Sequence, residues 1–437
     1  MRVVLIIVFF SILFIFTSRK KMDGFSRRLL YLYLGYWFLA LFFAVIQISG
    51  LYYTSNYSLI LLSINVLSFF VGFHAISIND KRAISIKQFE VLVEKLMQSP
   101  IFRYLLLGCT VLVLYLFSIY FQRIMFYQSI YEVRDEYFEN DLYGAWFTYL
   151  DSFLLWPLAM LTIPVLGYSI IYKRNFYTFV IALYLLVYES LSGARGGYFA
   201  IILGLIFVLY CLFNTIKRNN PKTIAILSSF IFIILFIVFL TTAGRQGTIG
   251  TSRDVVKEGV ESTIYQVGVY TAAPVVAFDH SIKNHYSERI GGLKYGKLTL
   301  SSVAELYNLF GSRVGLAIPM NDLRNLVSIK QSEFIVVGKE EEITSHYNAL
   351  YTAALWFYLD FGILGVLFIP FILGLLVRWI IKQTYSYFSI PMLAVCFVAF
   401  YYMINSVKDF YLRSGYVLLM LIVLYIIGKK TKIRAKV

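Results

Sequence analysis

Charged side chains are scarce in this chain: Asp, Glu, Lys and Arg make up 14% of its 437 residues, against about a quarter in an ordinary soluble domain. A fold of this length cannot cover itself in water with so little charge, which excludes the soluble globular class. Cysteine is nearly absent. Cys109, Cys211 and Cys396 each sit inside an apolar run, and three widely separated thiols make neither a disulfide framework nor a zinc site. Histidine is scarce as well, with four in the chain. His280 and His285 are five residues apart, the wrong spacing for two ligands on one helix face, and no cysteine joins them, so no metal is expected. Internal repeats and low-complexity tracts are also missing.

What is present is apolar sequence. Hydrophobic residues account for 59% and aromatic residues for 18%, and runs of roughly 20 recur, the length that crosses the hydrocarbon core as a helix. The expected fold is therefore an all-α polytopic integral membrane protein, a single membrane domain over residues 1–437 seated in a lipid bilayer. Eleven spans are expected: 1–17, 29–50, 59–78, 101–121, 152–171, 176–192, 198–214, 223–240, 348–377, 388–405 and 414–428. The first run is followed by "SRKK" with no small-residue cleavage site, so it reads as a retained helix rather than a signal peptide. The run at 348–377 exceeds a bilayer's need, and its first turns are expected to stand above the membrane or the helix to tilt.

The net charge of +15 is an orientation signal rather than a sign of nucleic-acid binding. With the N-terminus outside, the inner segments hold 22 of the 39 Lys and Arg but 4 of the 24 acids, as the bias of positive residues toward the cytoplasm requires. Two outer segments stand out. The smaller, 122–151, is rich in aromatics and acids, suited to stacking on a flat ligand face or to an interfacial belt. The larger, 241–347, lies between spans eight and nine and is far beyond an ordinary connection, so it should be functional or folded. It is expected to be partly helical. Val256, Val260, Ile264 and Val267 recur at helical spacing, and Ser302 with Glu305 forms a capping box ahead of Val303, Leu306, Tyr307 and Phe310, with Gly311 as a stop. On the inner side, 84–98 alternates apolar and charged residues as a helix lying on the cytoplasmic surface would.

One outer hairpin breaks the apolar pattern: "ESLSGARGGY", 189–198, between spans six and seven. Gly196 and Gly197 open the seventh span beside Arg195, so that unpaired N–H groups, the positive end of the helix dipole and a guanidinium meet. Such a place suits a phosphate. A tight turn with a snorkelling arginine is the alternative. "TTAGRQGTIGTSRD", 241–254, repeats the pattern on the same face, with Arg245 and Arg253 among Gly244, Gly247 and Gly250. Outer arginines run against the charge bias, and an anionic ligand would account for them. "GGLKYGKL", 291–298, falls short of a Walker A loop because Leu298 stands where a Ser or Thr must hold magnesium. His346 lies where the large loop re-enters the membrane. It suits taking a proton from a hydroxyl or orienting it, or it is a polar cap. Glu340–Glu342 read as a solvated run. Asp360 and Glu189, carboxyls in apolar runs, are either functional or structural partners.

Taken in order, "SGARGG", "AGRQGTIG", "GVYTAAPVVAFDHS" and "SHYNALYTAALWFYLDFGILG" resemble the Wzy-type O-antigen, or oligosaccharide repeat-unit, polymerases, across most of 176–377. The resemblance implies a GT-C-like membrane glycosyltransferase related to the O-antigen ligases. It would act on the periplasmic face of the bacterial inner membrane, with the N-terminus periplasmic and the C-terminus cytoplasmic. It would move an undecaprenyl-pyrophosphate-linked glycan onto the non-reducing end of another carried repeat unit, with inversion, without metal, cofactor or nucleotide sugar. A chain-length regulator is the protein partner it suggests. Fixed cations and helix ends would then stabilise the departing diphosphate. Arg195, Arg245 and Arg253 are the expected pyrophosphate ligands, joined by Arg313 and Arg289 in the loop, with Arg195, Arg245 and His346 catalytic. An O-antigen ligase shares the donor chemistry. A lipid-linked oligosaccharide flippase or other transporter would instead place polar residues along a central path.

Overall fold

The computed structural model describes residues 1–20, 22–77, 86–127, 133, 136–137, 142–172, 175–191, 196–212, 229, 232, 253–311, 315–316, 335–340, 343–347, 351–410, 412 and 414–431. It is a predominantly α-helical membrane protein. Among the described residues, six helices are long and apolar enough to cross a bilayer: α1 (Arg2–Arg19), α2 (Gly24–Val45), α3 (Asn56–Ala75), the helix Pro100–Tyr127, the run Trp146–Tyr172 and the helix Ile363–Ser386. In lipid every backbone polar group must be satisfied within its own segment, so long Leu, Ile and Phe runs become helices with little choice. Polar residues between the runs then set the ends. The Asp23 carboxylate caps α2 at Ser26 N (2.8 Å) and Ser55 caps α3 at Ser58 N (3.3 Å). Of the expected eighth span, 223–240, all but Ser229 and Phe232 lies outside the described residues.

The chain packs as two compact units. The first contains Met1–Arg82, Ile264–Gln383 and Ala399–Val423. Within it, α3 meets α14 (Ile363–Ser386) at almost bare backbone: a methyl placed on Gly72 would collide with the Phe371 carbonyl, and one on Gly374 with the Phe69 carbonyl. Ser68 Oγ donates to the Leu367 carbonyl along the same line, so small residues let the two helices touch. At one end of α14 the buried Arg378 donates through Nη1 to Asp23 Oδ2 (2.8 Å) and through Nε to the Ile76 carbonyl (3.1 Å), closing the start of α2 and the end of α3 with one side chain. Arg378→Ala withdraws the cation from a buried carboxylate. The expected loss is about 3–5 kcal/mol, read as a lowered unfolding midpoint in detergent, with much of it restored by adding Asp23→Asn.

The long segment 241–347 supplies structure that its length alone did not specify. Its first helix, α10 (Arg253–Lys283), covers the expected 256–267 periodicity and continues through Pro274. Ala272, Ala273, Val275, Ala277 and Phe278 are fully buried. Thr271 hydrogen-bonds Tyr36 of α2, and Ser55 Oγ donates to Asp279. A short turn, α11 (Tyr286–Arg289), leads to α12 (Ser301–Gly311), which stops at the expected glycine. Ser302 lies inside α12 rather than capping it, and Glu305 Oε2 accepts from Gly415 N (2.6 Å), at the start of α16 (Gly415–Lys430), in place of the expected capping box. A two-stranded antiparallel hairpin follows, β1 (Ile335–Glu340) and β2 (Ile343–Tyr347). Tyr52 N donates to the Val337 carbonyl (2.7 Å), fixing the hairpin to the chain beyond α2. The β-branched run "IVVGKEEEIT" carries this signal, which the reading of Glu340–Glu342 as a charge run passed over.

The expected 348–377 helix is corrected. It is two helices, α13 (Ala353–Phe361) and α14, broken at Gly362 with φ 61° and ψ −140°. That left-handed backbone is cheap only for glycine, so the run is not one continuous rod. Ser406 receives α13 at its start: its carbonyl accepts from Ala353 N (2.8 Å) and its hydroxyl from Trp37 Nε1 (3.2 Å). Trp356 Nε1 donates to the buried Asp409 (2.6 Å).

The second unit contains Ala83–Thr263, Thr384–Val398 and Leu424–Val437. Its elements are α4 (Ile86–Gln98), α5 (Pro100–Tyr127), α6 (Ala145–Leu150) and, after a π turn at Asp151–Leu155, α7 (Trp156–Tyr172). They continue through α8 (Phe176–Ser190), α9 (Gly196–Leu212) and the first half of α15 (Ile390–Asn405). α8 pairs with α5, and α9 with α7, where Gly167 faces Val208 and Gly204 faces Ile163. The apolar side of α4 is not spread on a membrane surface: Phe89, Leu92, Val93 and Met97 are buried, with Phe89 stacked on Tyr168 at 5.1 Å and near Phe388 at 5.9 Å.

Candidate functional site

The "SGARGG" hairpin joins α8 to α9. Asn175 and Thr178 fix the start of α8 with a reciprocal capping box, and Tyr184 Oη anchors its later turns to the Leu155 carbonyl (2.7 Å). Near the end of α8, Tyr188 Oη donates to Asp151 Oδ1 (2.6 Å), and Ser190 Oγ lies 2.5 Å from Tyr198 Oη on α9. Asp151 sits on the π turn that joins α6 to α7. Such one-residue expansions re-aim a side chain and recur at functional sites.

α9 begins at Gly196, the residue directly after Arg195. Gly197 follows, and its missing side chain has a use: the Glu189 carboxyl occupies the space where a Cβ would stand. Asp151 is Glu189's charged neighbour. The start of α9 thus brings the first turn of a helix beside the Glu189 carboxyl, with Asp151 as that carboxyl's neighbour, and the residue directly before Gly196 in sequence is an arginine. An arrangement of this kind can hold a phosphate at the helix end and offer an oxygen acceptor to a hydroxyl. Glu189 was legible as a buried acid near Arg195. Asp151 and Tyr188 were not, because 37 residues separate them and no local spacing announces the pair.

Arg195, Arg245 and Arg313 lie outside the described residues. Arg253 is the first residue of α10, and its side chain lies outside the described set. Arg289 is exposed in the single turn of α11, close in sequence to the ion pair between His285 Nδ1 and Glu288 Oε1 (3.4 Å). The backbone of His346 is in β2, paired across from Val336. Asp360, the other carboxyl in an apolar run, has a structural duty: buried, it accepts from Leu298 N (3.0 Å), Thr299 N (2.6 Å) and Thr299 Oγ1. The N–H groups ending the Walker-like "GGLKYGKL" therefore face an internal carboxylate where a nucleotide phosphate would sit. Asp360→Ala strands those donors at about 1–3 kcal/mol each, and the expected readout is faster proteolytic cleavage within 291–300 in otherwise folded protein.

Among the described residues of 122–151, three aromatics pack on one another. Tyr143 lies 4.8 Å from Phe147 and Tyr137 lies 5.9 Å from both, with Tyr143 and Phe147 buried. Burial pushes the Tyr137 and Tyr143 phenols above their ordinary range, so both stay neutral. Among the described residues, Phe126, Trp146 and Tyr149 are the exposed rings of this stretch. Burial raises the Asp279 carboxyl, but Lys283 Nζ at 2.6 Å and the Ser55 and Ser58 hydroxyls outweigh it and hold Asp279 below the usual carboxylate value. The three cysteines form no disulfide and are all buried. Among the described residues, no group of three or more His, Cys, Asp or Glu is placed to hold a metal ion. Compared with known proteins, the chain matches no family model, no curated protein and no solved structure.

Proposed function

We propose that the chain is a metal-independent membrane glycosyltransferase that polymerises undecaprenyl-pyrophosphate-linked oligosaccharide repeat units. It does so on the periplasmic face of the inner membrane, in a GT-C-like bundle of about eleven spans. The observation that carries this reading is the start of α9 immediately after Arg195: the helix N–H groups, the dipole and a guanidinium belong to one end of one helix, where a diphosphate is best stabilised. In the reaction, the acceptor hydroxyl oxygen attacks the anomeric carbon, the bond from that carbon to the pyrophosphate oxygen breaks, and the lipid diphosphate leaves with both bonding electrons. Arg195 and Arg245, supported by Arg253 and Arg313, balance the charge that develops on it. Arg289, exposed on α11, is the weakest member of that set. His346 takes the hydroxyl proton or holds the acceptor in line.

The test is purified protein incubated with lipid-linked repeat units, with and without added lipid A core. Longer lipid-linked chains are expected. Transfer only onto a lipid A core would make the protein an O-antigen ligase, and transbilayer movement of the lipid without any product would make it a flippase. Either result overturns the polymerase reading.

A further inference from the structure

Residues 289–311 present an apolar surface that nothing else in the first unit covers among the described residues. Leu300 is 60% exposed, Val303 51% and Tyr307 44%. Their spacing of three and four residues puts them on one side of α12 and the turn that starts it. Tyr295 adds a ring that is 74% exposed. The opposite side of α12 is taken: Ser301 and Ser302 are buried, and Glu305 accepts from Gly415 N at the start of α16. A water-facing helix would carry the reverse pattern.

Two connections set the level of this surface. The preceding loop is bound to the end of α13, with Lys294 N donating to the Leu359 carbonyl (3.0 Å) and Tyr295 N to the Asp360 carbonyl (2.9 Å). Gly296 abuts the Phe361 ring. One residue further on, α14 starts its membrane-crossing run with Ile363, Leu364 and Phe368 all exposed, the lipid-facing side of that helix. The apolar side of α12 therefore lies beside a lipid-facing surface at the point where it begins, and α12 lies against the start of α16 as well. The charges are also placed. Arg289 and Lys297 are exposed, Lys294 is half-buried and donates through Nζ to the Ile290 carbonyl, and Glu305, the one acid of 289–311, accepts from Gly415 N.

We propose that 289–311 is an interfacial membrane anchor: α12 lies in the headgroup region with Leu300, Val303 and Tyr307 toward the acyl chains, and Arg289, Lys294 and Lys297 bind anionic lipid phosphates. Apolar area facing the acyl boundary combined with cations at headgroup level is the requirement for such binding. The anchor rests on the membrane reading alone and not on the glycosyltransferase reading.

Because the native cysteines are buried, Leu300→Cys and Tyr307→Cys can each be labelled with an environment-sensitive fluorophore in the full chain. The labelled protein is placed in nanodiscs of phosphatidylcholine, with or without phosphatidylglycerol. Quenching by doxyl-labelled lipid and protection from iodide are expected at both positions. The quenching should be stronger with phosphatidylglycerol, and Lys294→Gln with Lys297→Gln should remove that difference. Iodide quenching without doxyl quenching would place the face in water, and resistance to both quenchers would mean protein covers it; either overturns the anchor. Equal doxyl quenching in both lipids would overturn the assignment of the cations.

Discussion

On the proposed polymerase reading, Arg195→Ala and Arg245→Ala are each expected to leave a protein that inserts and accumulates normally but extends chains about 10²–10³-fold more slowly, the loss that follows removal of one fixed donor from a developing oxyanion. In cells the expected product is glycolipid bearing a single repeat unit. The size of the effect follows from the leaving group. A departing diphosphate gains negative charge in a region of low dielectric, where a preplaced guanidinium is worth far more than in water. Arg195→Lys should fall between wild type and alanine, because an ammonium keeps the charge and loses the bidentate fork. The readout is the ladder of glycolipid lengths on a gel, with membrane abundance measured in parallel. Long chains of normal distribution from both alanine variants would remove the anion site from the account.

Gly72→Val is expected to remove the protein from the membrane fraction. Any side chain at Gly72 is driven into the Phe371 carbonyl, and the reciprocal contact of Gly374 with the Phe69 carbonyl leaves no direction in which α14 can retreat along the same face. Overpacking of this kind costs about 1–3 kcal/mol even where side chains can shift, and here the obstacle is backbone. Ser68, one turn before Gly72, shares the contact through the Leu367 carbonyl, so its effect will not add independently. Gly197→Ala is the instructive contrast. Its obstacle is the end of the Glu189 side chain, which can swing away. That variant should remain folded and alter only the arrangement at the start of α9. Monodispersity and unfolding midpoint in detergent separate the two cases: Gly72→Val fails both, Gly197→Ala passes both.

The helices were legible because lipid leaves an apolar run of twenty residues few alternatives, but the caps Asp23 and Ser55, which start two of them at 24 and 56 ahead of the expected 29 and 59, were not read from the sequence. What else escaped depends on partners far along the chain. Gly362 breaks a continuous apolar run through a single positive φ, and composition does not distinguish a glycine that turns the chain from one that packs it. Glu305 fits a capping box by spacing, yet its carboxylate goes to Gly415, 110 residues away. Asp360 gave the same signal as a functional acid, and the backbone of residues 298 and 299 accounts for it. In the candidate site the glycine-opened helix was legible from "GARGG". The lean of Glu189 over Gly197 and the bond from Tyr188 to Asp151 are tertiary facts without a local signature.

Undecaprenyl pyrophosphate binding to the purified protein, measured at equilibrium in the presence of a divalent-metal chelator, bears most directly on the central claim. Saturable binding that survives chelation and weakens at least about tenfold in Arg195→Ala, as loss of one charge-assisted contact of about 1.5–3 kcal/mol requires, is the predicted result. Binding that is unchanged in both Arg195→Ala and Arg245→Ala, or that vanishes when divalent metal is removed, would contradict it.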